Sequence, residues 1–183
     1  TYEVTEPIGL PAKKTAPEAA PDPFFIKDQN LPKIAHQELE FDDFGTQPLL
    51  PNRMSRLGPW LAVGDIDGDG DEDAYLGGAL GSDGVIIENN GKSWKADTRI
   101  SGGSDHEDMG ALFFDAESDG DIDLYVVSGG VESGKGSSNY RDSLCMNGGK
   151  GRFGRSDGGA VPGVMESGSC VVAADCDGDG ELD

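Results

Sequence analysis

Histidine, cysteine and basic side chains are scarce in this chain, and each shortage removes a class of chemistry. Its 183 residues include only His36 and His106 and the three cysteines Cys145, Cys170 and Cys176, with no Cys-X-X-Cys pair or mixed Cys/His spacing of a zinc site. Fourteen Lys and Arg stand against 35 Asp and Glu, for a formal charge of −21. Nucleic acid and anionic membranes both select a basic footprint, so neither is an expected partner. No apolar run approaches the roughly 20 residues of a membrane-spanning helix, and no signal-peptide pattern opens the chain. Because the chain begins at Thr1 rather than Met, a processed or trimmed form is expected. Gly-X-Ser-X-Gly elbows, P-loops and any set of nucleophile, base and orienting residue are missing, so the expectation is a non-enzyme. Asn-X-Ser/Thr acceptors for N-glycosylation are missing too. Aromatics make up 7% of the chain and glycine 29 residues, a balance that suits a loop-rich all-β protein better than a helical one.

What is present is acidic and regular. Asp65-Ile66-Asp67-Gly68-Asp69-Gly70-Asp71-Glu72-Asp73 places carboxylates at positions 1, 3, 5, 7 and 9 of a nine-residue loop. Bare, these charges repel one another; a hard cation such as Ca²⁺, which takes six to eight oxygen ligands at about 2.3–2.6 Å, offsets that repulsion. Leu61-Ala62-Val63 before the loop and Ala74-Tyr75-Leu76 after it are short and apolar, so both flanks read as strands. An EF-hand is excluded, because it needs a Glu at loop position 12 and flanking helices, whereas position 12 is Leu76. A second copy, Asp115-Ala116-Glu117-Ser118-Asp119-Gly120-Asp121-Ile122-Asp123, follows 50 residues later, with Val126 at position 12. The third, Asp175-Cys176-Asp177-Gly178-Asp179-Gly180-Glu181-Leu182-Asp183, comes after a further 60, preceded by Val171-Val172-Ala173-Ala174. Such spacings accommodate about four strands per unit. A second motif keeps the same order: Asn89-Asn90-Gly91-Lys92-Ser93-Trp94 recurs as Asn147-Gly148-Gly149-Lys150-Gly151-Arg152-Phe153, a turn leading into an aromatic.

These residues resemble the FG-GAP or VCBS repeats of integrin-α-type β-propellers. The match runs from Val63-Gly64-Asp65 through Tyr75-Leu76-Gly77-Gly78, again from Asp115 to Tyr125, and again from Ala174 to Asp183, covering roughly residues 55–183. The resemblance implies an all-β fold of propeller-like blades, about two complete repeats and the start of a third, and Ca²⁺ as the cofactor. It implies ligation through side chains at loop positions 1, 3, 5 and 9 and the carbonyl at 7. Carried over, the ligand residues are Asp65, Asp67, Asp69, Asp71 and Asp73; Asp115, Glu117, Asp119, Asp121 and Asp123; and Asp175, Asp177, Asp179, Glu181 and Asp183. Glu117 departs from the commoner Asp or Asn, and the third loop lacks its following strand. Calcium loops of this kind fill where calcium is plentiful, so an extracellular or cell-surface location is expected.

Along the chain, residues 1–23 hold five prolines and read as an extended linker or tail. Residues 24–54 form a lead-in with short strands around Phe24-Phe25-Ile26, Leu39 to Phe44 and Leu49-Leu50, with Asp42-Asp43 as a turn between two strands. Three repeats follow, at about 55–104, 105–164 and 165–183. In the first, Trp60–Val63 is the entry strand, Gly81–Gly84 a turn and Val85–Glu88 the third strand. In the second, Met109–Phe114 and Leu124–Val127 flank the acidic loop. The Gly/Ser-rich insertion from Ser128 to Asn139 is either a binding loop or a flexible one. Cys176 occupies the loop position of Ile66 and Ala116 and is expected to be a small buried hydrophobe; a Cys145–Cys170 bridge is left open. His106 reads as an exposed rim residue. The expected function is a calcium-binding, non-catalytic binding or adhesion scaffold with a protein or glycan ligand that the sequence does not name. A self-assembling surface or matrix protein, or a non-catalytic part of a larger exported enzyme, is the alternative. Since the third repeat stops inside its motif, either the chain is trimmed from a longer one, or copies associate head to tail with residues 24–50 donating a strand.

Overall fold

The computed structural model describes residues 29–97, 100, 103–156, 160–180 and 182. The Pro-rich segment 1–23, the Phe24–Ile26 patch, Glu181 and Asp183 lie outside the described residues. Among the described residues the regular structure is nearly all β: two four-stranded antiparallel sheets, each with its strands in chain order. Sheet one comprises β1 (Leu61–Gly64), β2 (Asp73–Leu76), β3 (Val85–Asn89) and β4 (Trp94–Asp97). Sheet two comprises β5 (Asp108–Phe114), β6 (Asp123–Ser128), β7 (Ser143–Asn147) and β8 (Phe153–Arg155). Val, Ile, Leu and aromatic residues make up nearly half of these short runs, as suits a pleated and partly covered surface.

Register explains where the acidic loops sit. Gly64 pairs with Asp73, and Phe114 pairs with Asp123. In both units the ladder therefore closes on the ninth loop residue, and the nine residues form the connection at the end of the first hairpin. The turn motif lies at the same end: Asn89 opposes Trp94 across β3–β4, and Asn147 opposes Phe153 across β7–β8.

The two sheets share one core. Ala62, Tyr75 and Ile86 of sheet one meet Leu124, Val126 and Cys145 of sheet two, with Ile66 from the first acidic loop in the same cluster. Ile66 is 2% exposed; Gly151 and Asn147 of the second unit both donate to its carbonyl, at 3.0 and 2.8 Å. Burial of such a side chain contributes about 1.5–3 kcal/mol.

The junction between units repeats. Gly78 O, thirteen residues past the first loop's start, accepts from Asp108 N at 3.0 Å, and Ser128 O, thirteen past the second loop's start, accepts from Gly168 N at 2.9 Å. Behind each junction two donors need an acceptor. Tyr75 Oη and Gly78 N donate to Asp108 at 2.8 and 2.6 Å, whereas Tyr125 Oη and Ser128 N donate to Asp142 at 3.0 and 2.8 Å. The carboxylate thus comes from the following unit in one case and from the start of β7 in the other. In each case the unused position is glycine: a Cβ at Gly84 would lie 2.0 Å from Tyr75 Oη, and one at Gly168 would lie 2.3 Å from Val127 Cγ1.

Several expectations change. Described residues 29–54 contain no strand; Asp42 caps a four-residue helix, α1 (Asp43–Thr46), by accepting from Gly45 N at 3.1 Å. Asp43 is buried and accepts from Met54 N, Ser55 N and Ser55 Oγ at 2.9, 3.0 and 2.5 Å, so it ties the lead-in to the approach to β1. Residues 171–174 form no strand, because no described segment pairs with them, and Val172 is 85% exposed. All three cysteines are free; Cys145 is buried while Cys170 and Cys176 are exposed. Only Ile66, of the three second-position residues, has a neighbouring sheet to enter. His106 is half-buried rather than exposed, its Nδ1 donating to Asn139 O at 2.8 Å. The Ser128–Asn139 insertion is internally tied, with Tyr140 Oη donating to Ser133 O and Asn139 Nδ2 to Ser133 Oγ at 3.1 Å.

Candidate metal centre

In the first loop, Asp65, Asp67 and Asp73 each bring a carboxylate oxygen to within 4.8 Å of the other two. The backbone fixes this arrangement. Gly68 and Gly70 take φ of 74° and 92°, values that L side chains rarely adopt, and the turn they make points amide N–H groups inward. Asp65 accepts from Gly68 N at 2.8 Å and Gly70 N at 2.9 Å, and Asp73 accepts from Ile66 N at 3.0 Å. Each carboxylate keeps lone pairs beyond those bonds. Ion pairs among the described residues join His36 to Glu38 and Lys95 to Glu88 and Asp97, so none places a cation in this loop. Asp73 is 1% exposed. Burial holds its carboxyl above the usual range, two backbone N–H bonds oppose that rise, and Asp67 and Asp69 add to it. An all-oxygen donor set with concentrated negative charge and no nearby sulfur or imidazole fits a hard cation.

Asp69 and Asp71 lie outside this group of three carboxylates. Asp69 Oδ1 accepts from Asp71 N at 2.9 Å. The Asp71 carboxylate reaches the β3–β4 turn, where a Cβ on Gly91 would lie 2.5 Å from its Oδ2. Asp121 likewise lies beside Gly149, 3.3 Å from where a Cβ would be. At the seventh position the side chain thus turns toward the second motif.

The second loop keeps the frame: Asp115 accepts from Asp119 N and Gly120 N at 3.2 and 2.9 Å, and Asp123 from Ala116 N at 2.9 Å. Yet no three of its described carboxylates converge as in the first loop. The departures are Glu117 at the third position and Ser118, at φ 58°, where the other loops have glycine. Glu117 is held above the usual carboxylate range by lost solvation and by Asp119, Asp123 and Asp115. The third loop gathers Asp175, Asp177 and Asp179 within 4.8 Å, all exposed.

One pair of residues escaped the sequence reading. Asn89 N donates to Asp73 and Asn147 N to Asp123, each at 2.7 Å. The turn motif therefore braces the ninth loop residue from the opposite hairpin, and its recurrence in step with the loops was the available signal. Comparison with protein-family models, with curated proteins and with solved structures finds no match. No helix among the described residues is long and apolar enough to cross a membrane.

Proposed function

We propose that the chain is a calcium-stabilised, non-catalytic binding scaffold made of propeller-type blades, working outside the cell or at its surface. The observation that carries this reading is the meeting of Asp65, Asp67 and Asp73 at the end of the β1–β2 hairpin, without a cationic side chain among the described residues to neutralise them. Two four-stranded meanders joined by a repeated junction support the blade reading. Asp65, Asp67 and Asp73 would hold Ca²⁺ in the first unit, and the ion would neutralise charges that otherwise oppose closing the hairpin. Scaffold and loops then divide the work, rigid sheets presenting variable connections to a protein or glycan. Calorimetric titration of chelated protein should show saturable calcium binding that Asp67→Ala reduces. A preference for Zn²⁺ over Ca²⁺, or no calcium uptake at all, would overturn the reading.

A second reading, head-to-tail self-association, is favoured by β1, whose Leu61 and Val63 are 57% and 55% exposed. Val63→Glu should then abolish any calcium-dependent rise in mass seen by light scattering; a mass that never rises removes this reading and leaves the first intact.

A further inference from the structure

Of all buried side-chain nitrogen and oxygen atoms among the described residues, one lacks a hydrogen-bond partner: Arg141 Nε. An unpaired buried donor costs about 1–3 kcal/mol, more for a charged group, so an acceptor is expected beside it. Arg141 lines a cleft of about 160 Å³ together with Asp142, Ser143, Arg155, Ser156 and Val161. In a chain of formal charge −21 this cleft gathers two of the few cationic side chains. We propose that it is a binding site for a small oxyanion, the carboxylate, sulfate or phosphate group of an acidic ligand.

The chemistry of the walls supports an anion over water alone. Arg155 Nη2 donates to Ser143 Oγ at 2.8 Å, which fixes the guanidinium in the cleft and leaves the Ser143 proton to be donated elsewhere. His106 Nε2 lies 3.5 Å from the same nitrogen; since His106 Nδ1 already donates to Asn139 O, the neutral ring presents an acceptor that steadies Arg155. Among the described lining residues Asp142 is the one carboxylate, and its two oxygens are engaged by Ser128 N and Tyr125 Oη on β6. The other described lining residues include two arginines and two serine hydroxyls, the donor set that planar and tetrahedral oxyanions select. A water molecule occupies about 30 Å³ of liquid, so the cleft has room for a polyatomic anion. The site lies away from the acidic loops and does not depend on calcium binding there.

Calorimetry on the full chain in calcium-containing buffer, at constant ionic strength set with chloride, tests this with inorganic sulfate, methyl phosphate and acetate as separate probes. At least one probe should bind saturably at one site, and Arg141→Gln should weaken it by about tenfold or more. Arg56→Gln removes the same charge from the approach to β1 and should leave the affinity within about twofold. If Arg141→Gln does not fold, Arg141→Lys keeps the charge while deleting Nε–H, and a clear loss of affinity is expected there too. Acetate binding without sulfate or methyl phosphate binding would assign the site to carboxylates, and the reverse to sulfate or phosphate esters. Absence of saturable binding by all three probes, or equal binding by the wild type and the folded Arg141 variant, would overturn the proposal.

Discussion

Glu117 and Ser118 mark where the second acidic loop departs from the first, and the consequence is measurable at single residues. Glutamate adds a methylene to the third-position ligand, and a non-glycine residue at φ 58° takes up a conformation that glycine adopts without cost. Restoring the first loop's residues with Glu117→Asp and Ser118→Gly should bring the second loop's calcium affinity toward that of the first, read as a second tight step in the titration. An unchanged isotherm would show that these two residues do not set the difference. Glu107 offers a test by pH instead. Burial, opposed by the Leu80 N–H and helped by Glu38, Glu132 and Asp108, pushes its carboxyl up to about 7 from an ordinary 4.5. The folded state then binds the proton more tightly than the unfolded state, so this residue contributes most stability below about pH 4.5 and loses that contribution as pH rises through about 7. Glu107→Gln keeps an acceptor for Leu80 N, which now donates to Glu107 Oε2 at 2.7 Å, without the charge. Relative to wild type it should be stabilised at pH 8 by on the order of 1–3 kcal/mol, with the difference vanishing below about pH 4.5. Equal melting curves at both pH values would rule the argument out.

Among elements, the exchange of carboxylate and glycine at the two junctions is the most informative feature. Unit one uses Gly84 with Asp108, and unit two uses Asp142 with Gly168, yet the donors served correspond: a tyrosine hydroxyl and the amide thirteen residues past each loop start. Asp108→Ala strands both buried donors and should cost about 2–4 kcal/mol, whereas Asp108→Asn, which keeps an acceptor, should cost far less. Gly84→Asp with Asp108→Gly transplants the unit-two arrangement into unit one, so the double variant should be more stable than the two single changes predict when added. Strict additivity in denaturant melts would contradict this. The sequence made much of this level legible: the positions of β1, β2, β5 and β6 followed from apolar runs on either side of acidic loops, that of β3 from an apolar run after the Gly81–Gly84 turn, and the two hairpin turns from a repeated Asn-Gly motif. Three things were not legible. The Asp42-Asp43 pair caps and anchors a helical turn because Asp43 finds Ser55 twelve residues away, a partner no local pattern announces. Val171–Ala174 has strand composition but no described neighbour to pair with, and composition alone does not make a ladder. The Asp–Gly exchange depends on which of two segments approaches a tyrosine, and both solutions satisfy the same local rules.

For the whole molecule, the governing quantity is charge. Sixteen of the 35 acidic residues fall in three nine-residue loops, and in the first of them the ladder closes on an aspartate that burial and its acidic neighbours make costly to ionise. Two mechanisms could then make a metal stabilise the fold. A bound ion acts as a ligand of the native state, adding RT ln(1 + [L]/Kd), about 2.7 kcal/mol at a hundredfold excess over Kd; a general cation atmosphere instead relieves long-range repulsion across the surface. Salt separates them, since the screening length falls from about 10 Å at 0.1 M to about 3 Å at 1 M. Chelation at low salt should lower the melting temperature clearly. Sodium chloride should recover mainly the part that arises from long-range repulsion, because partly buried carboxylates meeting within 4.8 Å of one another are screened much less than exposed charges farther apart. Micromolar calcium in high salt should still raise the melting temperature of wild type, and Asp65→Ala should remove most of that rise. Full recovery by sodium chloride alone would assign the stabilisation to overall charge, and a melting curve indifferent to chelation would remove the metal from the folding argument altogether.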